Sequence, residues 1–345
     1  MVHWCSRTLW VFFIFTLLDC LRLLDAARPT VVITGGNSGI GLAAMRQLAA
    51  LNSYDVVIAC RSLDRGEAAR STINYGKDNV SVRELDLADF DSISKFCSAW
   101  GDRPIDCLCL NAGVQFNDLK DVPRTKQGFE ETIGVNHIGH WLLTNLLLEK
   151  VKASPAGRIV FTGSGVHNPE EPGGNVGSKA GLEEMRGLEQ GFLPPVCMVN
   201  GQSNFDGDKA YKDSKLCNVI TTIELARRLK EQKSQVTCNV FNPGLIPTTG
   251  LFRGLNPLFV AIFTVLTRYV FRVAVSEEEG GERLVKMITD PIIGRTSGGY
   301  YSANGKDFGS FVPLVPSREA QDPAVGKRLW ALTEKVVLKG KERRQ

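Results

Sequence analysis

Tyr211 and Lys215 are the residues whose types and spacing point most directly to chemistry. In a helical segment, positions i and i+4 share one face. A phenol with an unperturbed pKa near ~10 is a poor acid or base at neutral pH. A nearby ammonium stabilises the phenolate and lowers that pKa. Such a pair can hand over a proton while a nicotinamide hands over hydride. Tyr-x-x-x-Lys alone is common, and a surface pair is its default reading. It gains weight here from its place after the fifth strand of a chain that also carries a glycine-rich turn.

That turn is Thr34-Gly35-Gly36-Asn37-Ser38-Gly39-Ile40-Gly41. It follows the first apolar strand and opens the first helix. Its glycines let the backbone turn tightly and approach a pyrophosphate, and the helix start offers unpaired N–H groups and a positive dipole to the anion. The strand before and the helix after make the motif specific. At the end of the second strand an NAD site carries an acid for the ribose 2′-OH. Cys60-Arg61 stands there instead, and Arg61 can pair with a 2′-phosphate in fork geometry. Asp55 lies at the opposite end of that strand. Asn37 and Arg61 together predict NADPH as the cofactor.

The elements that position these residues alternate. Residues 30–34, 54–60, 80–85, 105–110, 158–162 and 235–241 read as strands, short and rich in Val and Ile. Most are almost continuously apolar, as parallel strands buried on both faces are. Between them, 40–51, 128–152 and 209–231 have helical spacing. The alternation predicts an α/β fold, a Rossmann-type doubly wound parallel sheet with right-handed crossovers, in a single domain over 28–345. Two stretches break the rhythm. Residues 167–208 are rich in Gly, Pro and Asn, a functional insertion before the catalytic helix. Residues 251–275 are strongly apolar and read as a lid or membrane-facing segment at the ligand edge of the sheet, the alternative being a core helix.

Composition removes other classes. The 345 residues are 43% hydrophobic, enough for a sizeable core, and a net charge of +4 leaves no nucleic-acid footprint. The nine cysteines include no Cys-x-x-Cys pair, so neither a zinc site nor a disulfide framework is indicated. Cys107 and Cys109 read as one face of a buried strand, and scattered buried thiols fit a reducing compartment. His137 and His140 lie one turn apart; with no third ligand in view, helix packing is preferred to a metal. Near the N-terminus, Arg7 precedes an apolar run over 9–18 that is shorter than the roughly 20 residues a spanning helix needs. Residues 1–27 are therefore either a signal peptide or a retained anchor, outside the fold.

Thr34 to Gly41, Asn111-Ala112-Gly113, Asn136, Ser164, Tyr211, Lys215 and Pro243-Gly244 stand in the order of the short-chain dehydrogenase/reductase family, which the chain resembles from about Thr30 to Leu338. By that resemblance Asp86 and Leu87 contact the adenine, and Asn111 to Gly113 stabilise the central strand beside the cofactor. Asn136 holds a water in a proton relay, Ser164 positions the substrate oxygen, Thr248 touches the carboxamide, and Lys215 also binds the nicotinamide ribose.

Several segments resemble the light-dependent protochlorophyllide reductase branch: Asp208 through Asn218, Thr248 through Arg253, Val166-His167-Asn168-Pro169 and Ser276-Glu277-Glu278-Glu279. The long interval between Ser164 and Tyr211 is similar too. That resemblance implies light-driven, NADPH-dependent reduction of a porphyrin ring double bond in chlorophyll biosynthesis. Three positions depart from the branch. Leu245 replaces a cysteine after the Pro-Gly, Asn242 replaces a tyrosine before it, and Gly113 replaces an alanine. Asn136-His137-Ile138-Gly139-His140 and the apolar N-terminus also resemble microsomal retinol dehydrogenases. Three readings stand open: a protochlorophyllide reductase or close relative, a membrane-associated dehydrogenase of a retinoid-like or other lipophilic carbonyl, and a non-catalytic NADPH-binding module. The intact Ser164, Tyr211 and Lys215 argue against the third. The expected partner is a bulky apolar small molecule in a pocket that includes Leu245 and Phe252. A membrane surface and self-association are open as further partners. The expected location is a plastid reached through a signal-peptide route, or otherwise the endoplasmic reticulum.

Overall fold

Val, Ile and Cys fill the first, second and fourth strands almost without interruption, and all but one residue of these strands are buried. In the computed structural model, which describes residues 28–116, 121–247, 267, 274–303 and 311–342, they join one eight-stranded sheet of order β3-β2-β1-β4-β5-β6-β7-β8. The strands are β1 (Thr30–Thr34), β2 (Asp55–Cys60), β3 (Val80–Glu84), β4 (Cys107–Leu110), β5 (Arg158–Thr162), β6 (Thr237–Phe241), β7 (Tyr300–Ala303) and β8 (Phe311–Leu314). β1 to β7 run parallel, and β8 closes one edge antiparallel to β7. The chain starts mid-sheet at β1, winds outward to β3 and returns on the other side at β4. The reversal between β1 and β4 opens a crevice at the strands' carboxyl ends, where α/β sheets bind ligands.

Alternation along β1 sends Val31 and Ile33 to one face and Val32 to the other. The first face packs on α1 (Gly39–Leu51) and α6 (Glu277–Thr289) through Met45, Leu48, Leu284 and Met287. The second packs on α3 (Phe90–Ser98), α4 (His140–Lys152), α5 (Gly207–Glu231) and α7 (Pro323–Glu342). The remaining helix of any length, α2 (Leu63–Ser71), lies along β3. α7 lies across α5 and α4, with the Trp330 and Trp141 ring centroids 5.2 Å apart. Among the described residues no helix is long and apolar enough to cross a membrane.

Two predicted elements differ in detail. The stretch 128–152 is not one helix: a turn at Glu131–Ile133 runs into a π-helical stretch, Gly134–Gly139, before α4 begins. The insertion over 167–208 is folded. Leu182, Met185, Leu188 and Phe192 enter the main core. The first turns of α5 strap it down: Lys212 Nζ donates to the Ser178 carbonyl at 2.7 Å, Lys209 Nζ to that of Gly181 at 2.8 Å, and Asp213 accepts the Gly181 N–H at 2.9 Å. Residues 1–27, Thr248, Phe252 and nearly all of 251–275 lie outside the described residues.

Candidate active site

α5 carries the candidate catalytic pair. Its N-cap Asp206 accepts the Lys209 N–H at 3.0 Å, and Tyr211 and Lys215 follow within three turns, both buried. Lys215 Nζ donates to the Thr162 carbonyl, at the end of β5, across 3.0 Å and lies 5.5 Å from the centre of the Tyr211 ring. The Ser164 side chain acts on the Tyr211 phenol. Sequence reasoning expected the ammonium to pull the phenol down. Instead burial pushes the phenol up, with Ser164 opposing. Burial brings Lys215 down to about 8. Tyr211 is thus an un-ionised phenol at neutral pH, the form that can give a proton away.

Ser164 follows β5 and caps a single 3-10 turn, Gly165–His167. Its carbonyl accepts the His167 Nδ1–H at 2.7 Å, and His167 Nε2 accepts the Ser317 N–H at 3.2 Å. A histidine bridging two backbone groups in this way fixes the loop that presents Ser164. Asn136 lies within the π-helical stretch. Its Oδ1 accepts the Val114 N–H at 2.8 Å, and its Nδ2 donates to the Val114 carbonyl at 2.9 Å and to Ser214 Oγ at 3.0 Å.

The glycine turn fits a dinucleotide on its own geometry. Gly35 has φ +68°, and a Cβ on Gly41 would lie 2.6 Å from the Gly35 oxygen and 2.8 Å from Asn111 Nδ2, so neither position has room for a side chain. Ser38 caps α1 in an extended conformation without a side-chain bond to the helix, and the first turn of α1 holds no acid. Those first N–H groups are therefore available to an anion. Asn37, Gly39 and Ile40 complete the partly exposed rim, and Arg61 stands exposed just beyond β2. Asp55, at the far end of β2, is ion-paired with Arg103. Asp86 holds the Ala88 N–H at 2.9 Å, turning the chain after β3, while a Cβ on Gly139 would meet the Leu87 carbonyl at 2.4 Å. Thr34 Oγ1 accepts the N–H groups of Asn111 at 2.9 Å and Ala112 at 3.0 Å. Gly113 lies between, where a Cβ would stand 3.4 Å from Asn136 Oδ1 and 3.6 Å from Lys215 Nζ. Beyond β6, Gly244 has φ +99°, and Leu245 bridges to Ala274.

The predicted residues thus gather along the carboxyl edge of β1 to β6; Thr248 and Phe252 lie outside the described residues. Sequence reasoning missed three supports. Arg283 on α6 donates to the Pro243 carbonyl at 2.6 Å. Gly280 and Gly281 bring α6 against α1, and their adjacency in a helix opened by three glutamates was the available signal. His140 and Thr34 join the cofactor turn to Asn136. His137 bonds Thr333 on α7, so each of the two histidines has a packing partner.

The family model for short chain dehydrogenase matches residues 29–185. A chloroplastic protochlorophyllide reductase of Daucus carota is 39% identical over 316 residues, 90% of this chain and 78% of the relative. A protochlorophyllide reductase of Avena sativa is 40% identical over 313 residues, 89% of this chain and 99% of the relative. Among solved structures, an uncharacterised protein from Mycobacterium Paratuberculosis superposes with TM-score 0.65 at 28% identity, covering 90% of this chain and 93% of its own. The Pseudomonas aeruginosa RhlG/NADP active-site complex shares the fold, with TM-score 0.59 at 18% identity over 81% of this chain and 96% of its own. The chain belongs to the short-chain dehydrogenase/reductase family. Within it, this protein is an NADPH-dependent oxidoreductase akin to the protochlorophyllide reductases.

Proposed function

We propose that this chain reduces a ring double bond of protochlorophyllide with NADPH, in a plastid, with Tyr211 as the proton donor. The observation that carries this reading is the grouping of Ser164 with the buried Tyr211 and Lys215 beside Gly113, in a chain 39% identical to a chloroplastic enzyme of that name. NADPH, when bound, supplies the hydride. Gly35, Asn37, Ser38, Gly39, Ile40 and Gly41 receive its pyrophosphate, Arg61 its 2′-phosphate, Asp86 and Leu87 the adenine, and Asn111, Ala112, Gly113, Pro243, Gly244 and Thr248 the nicotinamide half.

The protein's own residues then manage the proton. Tyr211 holds it on Oη until transfer, and Ser164 orients that hydroxyl. Lys215, fixed by the Thr162 carbonyl, binds the ribose and stabilises the phenolate left behind. Asn136 holds the relay that restores the proton. Leu245 and Phe252 wall the porphyrin; leucine has no proton to give, so the route runs through Tyr211. The expectations for 251–275, a lid or membrane-facing segment, and for 1–27, a signal or an anchor, fall on residues that lie almost entirely outside the described ones.

The test is dark assembly of purified protein with NADPH and protochlorophyllide, followed by illumination. The absorption should convert to that of the reduced chlorin. Tyr211→Phe should lower turnover on the order of 10²–10⁴-fold while NADPH binding persists. No binding of protochlorophyllide beside NADPH, together with dark turnover of a lipophilic aldehyde or ketone, would overturn the proposal in favour of a retinoid-type dehydrogenase.

A further inference from the structure

A line of buried hydrogen bonds runs from the cofactor strand to the catalytic helix, with His140 at its centre. Thr34, Asn136, His140 and Ser214 are all 0% exposed. The donors can be assigned one by one. The Asn136 carbonyl only accepts, so the proton in its 3.1 Å bond to His140 sits on Nδ1. Burial, with the Lys215 ammonium adding to it, holds the imidazole down to about 4. The ring is neutral at working pH, and its Nε2 is bare. Across 2.9 Å from Nε2 lies Thr34 Oγ1, whose single proton has two acceptors in reach, that bare nitrogen and, at the longer 3.3 Å, the Cys109 carbonyl. The two lone pairs of Thr34 Oγ1 are left for the Asn111 and Ala112 N–H groups at 2.9 and 3.0 Å. On the other side, Asn136 Nδ2 donates to Ser214 Oγ at 3.0 Å, and the Ser214 hydroxyl donates to the Tyr211 carbonyl at 2.6 Å. The His140 ring spends both of its nitrogens on this line.

The backbone makes room for it. In the π-helical stretch Gly134–Gly139 the His140 N–H turns to the His137 carbonyl, and the Asn136 carbonyl receives the ring proton. Such wide turns are rare and concentrate at functional sites. We infer that His140 is a positioning residue, coupling the loops that receive NADPH to the Tyr211 helix through Thr34 on one side and Asn136–Ser214 on the other. A purely packing histidine is available for contrast one turn earlier. His137 is equally buried, but its Nε2 donates to Thr333 Oγ1, whose own proton goes to the Leu329 carbonyl within α7, away from the site.

The experiment compares His140→Leu with His137→Leu, reading thermal midpoint and NADPH dissociation constant with no substrate present. Both should lower the midpoint. Only His140→Leu should weaken NADPH binding, by about tenfold, as expected when a buried bond is left unmade; His137→Leu should stay within about twofold. His140→Asn retains a donor near Nδ1, and should recover turnover of the loaded enzyme more than it recovers NADPH affinity. Should His140→Leu fail to fold, Thr34→Val reads the same line from its other end, with about a tenfold loss expected. Equal effects of the two histidine variants on NADPH affinity, or an unchanged affinity in Thr34→Val, would overturn the inference. Because the affinity readout uses the cofactor alone, it is independent of whether protochlorophyllide is the substrate.

Discussion

Gly281→Ala is the most demanding test of how α6 supports the cofactor site, because two effects of opposite sign compete. Alanine favours a helix interior over glycine by ~1 kcal/mol. Against that, an added Cβ would lie 2.6 Å from Ala43 Cβ, 2.8 Å from Ala44 N and 3.0 Å from the Ala43 carbonyl carbon. Two of those three atoms are backbone and cannot swing aside. Overpacking of this kind costs ~1–3 kcal/mol, so the net expectation is a loss of ~0–2 kcal/mol despite the better helix former. The strain falls on α1, whose first turn is the anion site, so NADPH affinity should drop by about tenfold if ~1.4 kcal/mol of it is expressed there. Gly280→Ala is the companion: its Cβ would meet only the ends of Ile246 at 2.6 Å and Ile40 at 3.2 Å, side chains that can rotate. It should cost less than ~1 kcal/mol. Urea unfolding reads the first quantity and fluorescence titration with NADPH the second. A Gly281→Ala protein as stable as the parent, with unchanged affinity, would refute the claim that the α1–α6 contact is closed to a methyl group.

Two further expectations follow. Arg61→Ala should weaken NADPH binding ten- to a hundredfold, the effect of ~1.5–3 kcal/mol for one charge-assisted contact, and barely change NADH; equal affinity of the unaltered protein for both cofactors would sink the 2′-phosphate role. Acid should unfold the protein through its buried histidines: burial holds His137 at about 3 and His140 and His167 at about 4, below the free value of 6.5. Their contribution is complete above pH 6.5 and is lost as the pH falls toward 4, at ~1.4 kcal/mol per pH unit for each proton taken up. Asp213 works the other way, since burial raises it to about 7 and its folded form gains stability as the pH drops. Urea midpoints measured between pH 4.5 and 7 should therefore fall with a slope near ~2 protons, and a flat profile would show that these rings are not buried as neutral groups.

What could be read from the sequence were features whose signal is local. The alternation of apolar runs located six of the eight strands, and β1 and β5 match the expected limits, 30–34 and 158–162. The glycine turn and the Tyr211–Lys215 pair were visible because their spacing and order carry the chemistry. β7 and β8 were missed: Tyr300–Ala303 and Phe311–Leu314 are as short as β4 but carry Ser302 and Pro313 where β4 is continuously apolar. The π-helical stretch looked like ordinary helix, because apolar spacing over six residues barely distinguishes one extra residue per turn. Arg283 and the bond of His140 to Thr34 were out of reach for another reason. Each involves a partner distant in sequence, and nothing in the neighbourhood of Arg283 announces the Pro243 carbonyl forty residues upstream.

α7 bears on how the polypeptide is made. It lays Trp330 against Trp141 and under Arg228, places Thr333 against His137, and brings Gly340 to within methyl-contact distance of Phe90 and Phe129. Translation delivers that helix after every element it covers. On the ribosome, the apolar flanks of α4 and α5 therefore stay open to water until roughly the last twenty residues of the fold leave the exit tunnel. A nascent chain holding all eight strands together with Tyr211 and Lys215 still lacks the cover over its largest hydrophobic layer, and that interval is when a chaperone would find the most to hold.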